Sequence, residues 1–258
     1  MVSAGTLTAR QWTMSARGIT RVPRLRLSSS AKPTTGMTEP MRISGSLVRT
    51  YYALRMYENL DWCATMNDFS LDHQFSESAA TIADATIRII ATRGLDAVSV
   101  REVAKESGFA AGSVQYHAPN RDTLLAHAFI RSIQRQTERV AAVPASGDEL
   151  ETWVARLAEL LPIEGVRSED AAIWVTYGSA SATRDWIAKL YTEVLEDFQS
   201  SVVAALGGKE SEENTKRKAR LVTALINGLA LDNLRVPESE ADRIVADLRE
   251  GLSLLFAS

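Results

Sequence analysis

From Ser76 onward, apolar residues return every three or four positions, the period of helices that bury one face. Over 78–92, Ile82, Ala85 and Ile89 stand at i, i+3 and i+7 with Ile90 alongside, and Gly94 supplies the stop. Ser99 opens a short helix over 99–107 as one half of a capping box with Glu102. Val100, Val103 and Ala104 form its apolar side, and Gly108 ends it. A second short helix over 110–117 has a single apolar anchor, Val114. Pro119 and Asn120 break it, and Asn120 caps a long helix from Arg121 to about Val140 whose inward stripe is Leu124, Leu125, Ala128 and Phe129.

The same period continues to the C-terminus. Ser146 and Glu149 form a second capping-box pattern ahead of Leu150, Trp153, Val154, Leu157 and Leu161. Helices are predicted over 169–181, 184–206, 215–234 and 239–256, the last with a stripe of Ile244, Val245, Leu248, Leu252 and Leu255. Strand alternation with hairpin turns, internal repeats and long heptad arrays are absent from this stretch. The fold class is all-α.

Upstream of Ser76 the pattern dissolves. Leu47, Tyr51, Leu54 and Leu60 have rough helical spacing, compatible with a short helix over 47–62. Residues 1–38 hold six basic residues, no acidic ones and twelve Ser or Thr, with apolar residues scattered. Such a segment buries too little apolar surface to offset its ordering entropy. Its composition also resembles an organellar transit peptide. Two plainer readings compete: a disordered tail, and upstream sequence translated from a mis-assigned start. Met66 is then a plausible start, since structure begins soon after it.

Composition adds three exclusions. No run approaches the ~18 apolar residues of a membrane span. Cys63 is the only cysteine of the chain, so an internal disulfide or CxxC metal site is excluded, and a cytoplasmic location is expected. The net charge of −3 hides an asymmetry: residues 1–75 sum to +4, 76–140 to +1 and 141–258 to −8. A nucleic-acid contact therefore belongs before residue 141.

The informative stretch is 76–130. A short helix, a tight glycine turn and a second short helix make the helix-turn-helix arrangement, in which the second helix enters the major groove. Ala110, Ala111, Gly112 and Ser113 are small enough to let that helix approach base edges. Gln115 can pair with adenine, and Tyr116, His117 and Ser113 can bond phosphates. Arg101 and Arg121 suit phosphate clamping, and Ser99 can donate to a phosphate at the positive end of its helix.

The run TIADATIRIIATRGLDAVSVREVAKESGFAAGSVQYHAPNRDTLLAHAF resembles the DNA-binding domain of TetR-family transcriptional regulators. The matching elements are Ile82 with Asp84 and Ala85, Gly94, Ser99 to Ala104, Gly108, Gly112 to His117, and Arg121. Two positions depart from the pattern: Gln115 replaces an aromatic or bulky residue, and Ala118 replaces a common Phe. The resemblance implies a homodimeric, all-helical regulator whose C-terminal helices bind a small ligand and pair through a four-helix bundle. Helices 215–234 and 239–256 would then form the interface, where Ala224 and Gly228 are small beside Leu221, Leu225 and Leu229. Aromatics between the two ends, Trp153, Trp174, Tyr177 and Trp186 among them, are candidates to line an apolar pocket rimmed by Thr176, Ser179 or Asn227.

The expected organisation is an extension over 1–75, a helix-turn-helix domain over 76–125 and a ligand-binding and dimerisation domain over 126–258. The expected function is a repressor released from an inverted-repeat DNA operator by a small-molecule effector, with no cofactor and no metal. A ligand-independent dimeric or architectural DNA-binding protein is the alternative. An enzyme is disfavoured: no GxSxG elbow, GxGxxG or Walker loop occurs, and His73, His117 and His127 have no metal-ligand spacing.

Overall fold

A computed structural model of the chain describes residues 12–15, 18–21, 71–207 and 211–257. The chain divides into two compact units, Met1–Ile43 and Ser44–Ser258. In the first, β1 (Trp12–Ser15) pairs antiparallel with β2 (Gly18–Arg21), from Trp12 opposite Arg21 to Ser15 opposite Gly18. Composition alone predicts no such ladder, because a four-residue pairing carries little periodic signal. The helix suggested over 47–62 lies outside the described residues.

The second unit holds nine α-helices among its described residues: α1 (Glu77–Arg93), α2 (Val100–Ser107), α3 (Ala111–His117), α4 (Arg121–Ala142), α5 (Glu149–Ala158), α6 (Gly165–Ser181), α7 (Asp185–Leu206), α8 (Glu212–Asn233) and α9 (Ala241–Ala257). Every helix predicted from Ser76 onward is present. The boundaries that move have local causes. Leu161 is fully buried but sits in the turn after α5 rather than in the helix. Helix α8 starts early because the Ser211 side chain accepts from the Asn214 amide.

Two capping readings need correction. Ser99 accepts from the Glu102 amide at 3.2 Å as expected, but the Glu102 carboxylate turns to Arg93 at 2.7 Å instead of returning to Ser99. At α5 the cap is Asp148, which accepts from the Glu151 amide at 3.2 Å. Ser146 instead donates to the Asp148 carbonyl within the preceding turn. A carboxylate one residue from the helix start outcompetes a hydroxyl three residues away.

The helices share two cores. The first takes Ile82, Ile89 and Ile90 of α1, Val103 of α2, Val114 of α3, Leu124, Leu125 and Phe129 of α4, Ile173 and Tyr177 of α6, and Ile187, Leu190 and Val194 of α7. The second joins Val154 and Leu157 of α5, Val202 near the end of α7, Val222 and Ile226 of α8, and Ile244, Leu248 and Leu252 of α9. The expected domain boundary at 125/126 falls inside α4, whose residues on both sides of it enter the first core. The three N-terminal helices are thus packed on the same apolar interior as α6 and α7. Among the described residues no helix is long and apolar enough to cross a membrane.

Candidate nucleic-acid interface and interior aromatic cluster

Helices α2 and α3 meet at Gly108, which adopts φ 77°, a left-handed conformation that glycine takes without strain. Val103 and Val114 are fully buried and seat the two helices in the first core. Ala118, at the end of α3, is also fully buried, so this position is packed despite lacking a large side chain. Opposite Val114, the residues Ala111, Gly112, Ser113, Gln115 and Tyr116 all face solvent. Tyr116 is 85% exposed, and its ring meets that of half-buried His117 edge-on at 5.1 Å. A Cβ placed on Gly112 would touch nothing within 4 Å, so its smallness serves no internal packing.

The cations around this face fall into two groups. Arg88 is paired with Glu106 at 2.9 Å and Arg93 with Glu102 at 2.7 Å, fastening α2 to α1. The Arg93 hydrogen bond holds the Glu102 carboxyl below its ordinary range. Arg101 and Lys105 on the outer side of α2 are exposed and make no ion pair among the described residues. Ser99, the cap of α2, is exposed beside them.

Arg121 differs from the sequence expectation. Its Nε donates to the Val98 carbonyl at 3.1 Å and its Nη2 to the Leu95 carbonyl at 2.8 Å, with Asp96 at 3.3 Å. The guanidinium is a clasp between the start of α4 and the turn before α2. The sequence shows a cation at a helix start; only the fold shows two carbonyls waiting for it.

Of the four aromatics expected around a ligand, Trp153 stands apart from the other three, which pack in or against the first core, with Trp174 and Tyr177 both stacked on Phe129. Trp153 lies in the second core, edge-on to Phe256 at 5.5 Å. Tyr177 is fully buried, stacked on Phe129 at 4.5 Å, and donates to the Leu125 carbonyl at 2.6 Å. Burial pushes its phenol well above the ordinary range. It is a core residue that ties α6 to α4. Trp186 is half-buried against the first core. Trp174 packs on Tyr191 at 4.4 Å and donates its indole N–H to Asn227 at 2.8 Å, bridging α6, α7 and α8. Asn227, one of the polar residues expected at a pocket rim, and Tyr191, another of the aromatics between the two end regions, complete this cluster. A separate open groove of about 500 Å³ between α7 and α8 is lined by Glu196, Gln199, Val203, Lys216, Ala219 and Arg220, with none of the four aromatics. No group of three His, Cys, Asp or Glu able to hold a metal occurs among the described residues.

On α8 the face away from the second core carries Leu221, Ala224, Gly228 and Leu231. Leu221 and Leu231 are exposed, and a Cβ on Gly228 would meet nothing within 4 Å. Leu225 and Leu229 turn inward to that core instead.

Comparison with known proteins agrees with this architecture. Residues 82–128 match the family model of bacterial regulatory proteins of the tetR family, and residues 150–257 match the C-terminal model of BetI-type transcriptional repressors. The chain is 25% identical over 184 residues to the HTH-type transcriptional regulator PksA of Bacillus subtilis, covering 68% of this chain and 88% of that protein. It is 23% identical over 150 residues to the HTH-type transcriptional regulator BetI of Rhizobium meliloti, covering 57% and 73%. A solved transcriptional regulator from Rhodococcus superposes with a TM-score of 0.63 and 28% identity, over 70% of this chain and 96% of that one. A Saccharomonospora viridis regulator in complex with choline superposes with a TM-score of 0.58 and 24% identity, over 69% and 97%.

Proposed function

This chain belongs to the TetR family of bacterial regulatory proteins, and from that premise we propose that it is a homodimeric, cytoplasmic repressor released from its DNA by a small molecule. The observation that carries the reading is the outer face of α3. Small residues and polar tips (Ala111, Gly112, Ser113, Gln115, Tyr116) project from a helix anchored by Val114, with Arg101 and Lys105, exposed and without an ion pair among the described residues, beside them. Gln115 reads a base edge, while Ser99, Arg101, Tyr116 and His117 hold phosphates. Arg121 orients α3 through its two carbonyl bonds.

Two copies pair through the outer face of α8, where Leu221, Ala224, Gly228 and Leu231 permit close helix approach. The two α3 helices then enter successive major grooves of an inverted repeat, roughly 34–36 Å apart. The effector binds beside Trp174 and Tyr191, where aromatic faces stand near the Asn227 amide. Its binding favours a dimer whose α3 spacing no longer matches the operator, and DNA weakens effector binding by the same factor. Aromatic faces and the acidic C-terminal half suit a small organic cation.

The test is a fluorescence-anisotropy titration of the full chain on the duplex upstream of its own coding sequence, at two salt concentrations. Saturation at two protomers per site in the presence of competitor DNA is expected. Weak binding that vanishes at the higher salt, on this duplex and on fragments selected from the genome, removes the reading. The Saccharomonospora viridis relative holds choline, so choline is the first effector probe. A bound effector raises the melting temperature by mass action and releases DNA. If no panel of small molecules does either, the alternative of a ligand-independent architectural dimer takes over.

A further inference from the structure

One face of α4 carries Arg131, Arg135 and Arg139 at i, i+4 and i+8, and each guanidinium bonds carboxylates from another element. Asp84 of α1 receives Arg131 at 3.1 Å and Arg135 at 3.2 Å on the same oxygen. Asp170 of α6 is 1% exposed. One of its oxygens accepts from Arg135 at 2.5 Å and Ser132 at 2.8 Å, the other from Arg139 at 2.9 Å. Arg139 continues to the Glu159 carboxylate at 3.3 Å and Arg167 reaches the same carboxylate at 3.1 Å, closing the row at the start of α6. Glu169 stands 3.6 Å from Arg135.

The middle of this row is the informative part. Arg135 is the one guanidinium there that holds α1 with one nitrogen and α6 with the other. Its fork is rigid and planar, and charge-assisted bonds of this length weaken steeply with displacement. Asp170 cannot exchange these partners for water, because it is buried. A shift of α6 along α4 by about one ångström therefore strains the bonds that compensate the buried Asp170 charge unless Arg135 and Arg139 follow, and Arg135 follows only by pulling on its bond to Asp84. Such an arrangement has discrete states rather than a continuous range.

We infer that Arg135 is the mechanical link by which a displacement of α6 reaches α1 and the helix-turn-helix resting on it. The link rests on the reading that an effector acts through the α6–α8 half, but its own test needs neither effector nor DNA. Helices α1 and α6 also touch through the first core, so the experiment must separate the charged link from packing.

The measurement is hydrogen exchange, resolved by peptide, on the full-length protein. Asp170→Asn is expected to speed exchange in α1 around Asp84 about tenfold, as well as in α6. Coupling is reciprocal, so Asp84→Asn should speed exchange over 166–174. In an Arg135→Met background, which keeps the apolar stem, neither substitution should alter the opposite helix. Unchanged α1 exchange in Asp170→Asn, or a response that persists in Arg135→Met, overturns the link. If Asp170→Asn does not fold, Asp84→Asn with and without Arg135→Met decides alone. A failed operator titration would leave this result standing, and a failed exchange experiment would leave the repressor reading standing.

Discussion

Gly251 of α9 lies so close to Leu225 of α8 that a Cβ on the glycine would stand 2.7 Å from Leu225 Cδ2 and 2.9 Å from Cδ1. The leucine fills the space the missing side chain leaves, which lets α8 and α9 pack at close range in the second core. Gly251→Ala is expected to destabilise by about 1 kcal/mol, overpacking of ~1–3 kcal/mol being offset by ~1 kcal/mol of helix propensity. In a Leu225→Ala background the same change should stabilise. Urea unfolding of the four proteins measures the cycle, and additivity of the two changes would show that the contact does not constrain the helices.

Gly112 is the opposite case, an exposed helical glycine with open space around its Cα. Gly112→Ala should raise stability by up to ~1 kcal/mol, since it restricts the unfolded chain and nothing inside resists it. Its anisotropy titration should nevertheless show weaker DNA binding, because the proposed reading puts the added methyl where α3 meets the groove. Unchanged affinity would mean that this part of α3 does not approach DNA closely.

Arg101 and Arg121 should separate cleanly. Arg101→Ala leaves the melting temperature nearly unchanged, since the side chain is exposed and unpaired among the described residues. It should weaken binding to every duplex and flatten the dependence on salt, the signature of a lost phosphate contact. Arg121→Ala removes two bonds from a charged donor to backbone carbonyls and should cost about 2 kcal/mol by denaturant unfolding. A fully stable Arg121→Ala would contradict the clasp.

Tyr177→Phe tests whether this residue is core or ligand contact. Losing the hydroxyl bond to the Leu125 carbonyl should cost about 1–2 kcal/mol while leaving effector affinity intact. A large change in affinity with unaltered stability would return Tyr177 to the pocket.

Glu169 supplies a pH dependence. Burial raises its carboxyl above the ordinary value, against the opposing attraction of Arg135 and Arg88. The folded state therefore binds this proton more tightly than the unfolded chain does. The stabilisation it brings is present below the unfolded value and is lost as pH rises through the folded one. Glu169→Gln should melt above the native protein at neutral pH, and the difference should close as pH falls below the ordinary carboxylate range. A difference independent of pH would assign the effect to packing.

Much of this protein is legible along the chain. The helices from Ser76 onward, the buried anchors Val103 and Val114, the Asn120 cap of α4 and the outward set on α3 all follow from periods of three and four and from residues with strong end preferences. These signals are local: a helix needs only its own turn to declare a face. The pocket aromatics could not be read that way. Trp153 and Tyr177 are alike in a sequence, both large and periodic, yet one meets Phe256 in the second core and the other Phe129 in the first.

The sequence by itself determined the order of the helices from Ser76 onward, their apolar faces and the family, because each rests on neighbours within one or two turns. The tertiary structure alone decided that Arg121 is a clasp, that Leu225 occupies the place beside Gly251, and that Arg135 stands between Asp84 and Asp170. Those three depend on groups from other elements, 23 to 51 residues away for the two arginines. A charge finds its partner by distance in space, and that distance is set only when the helices pack.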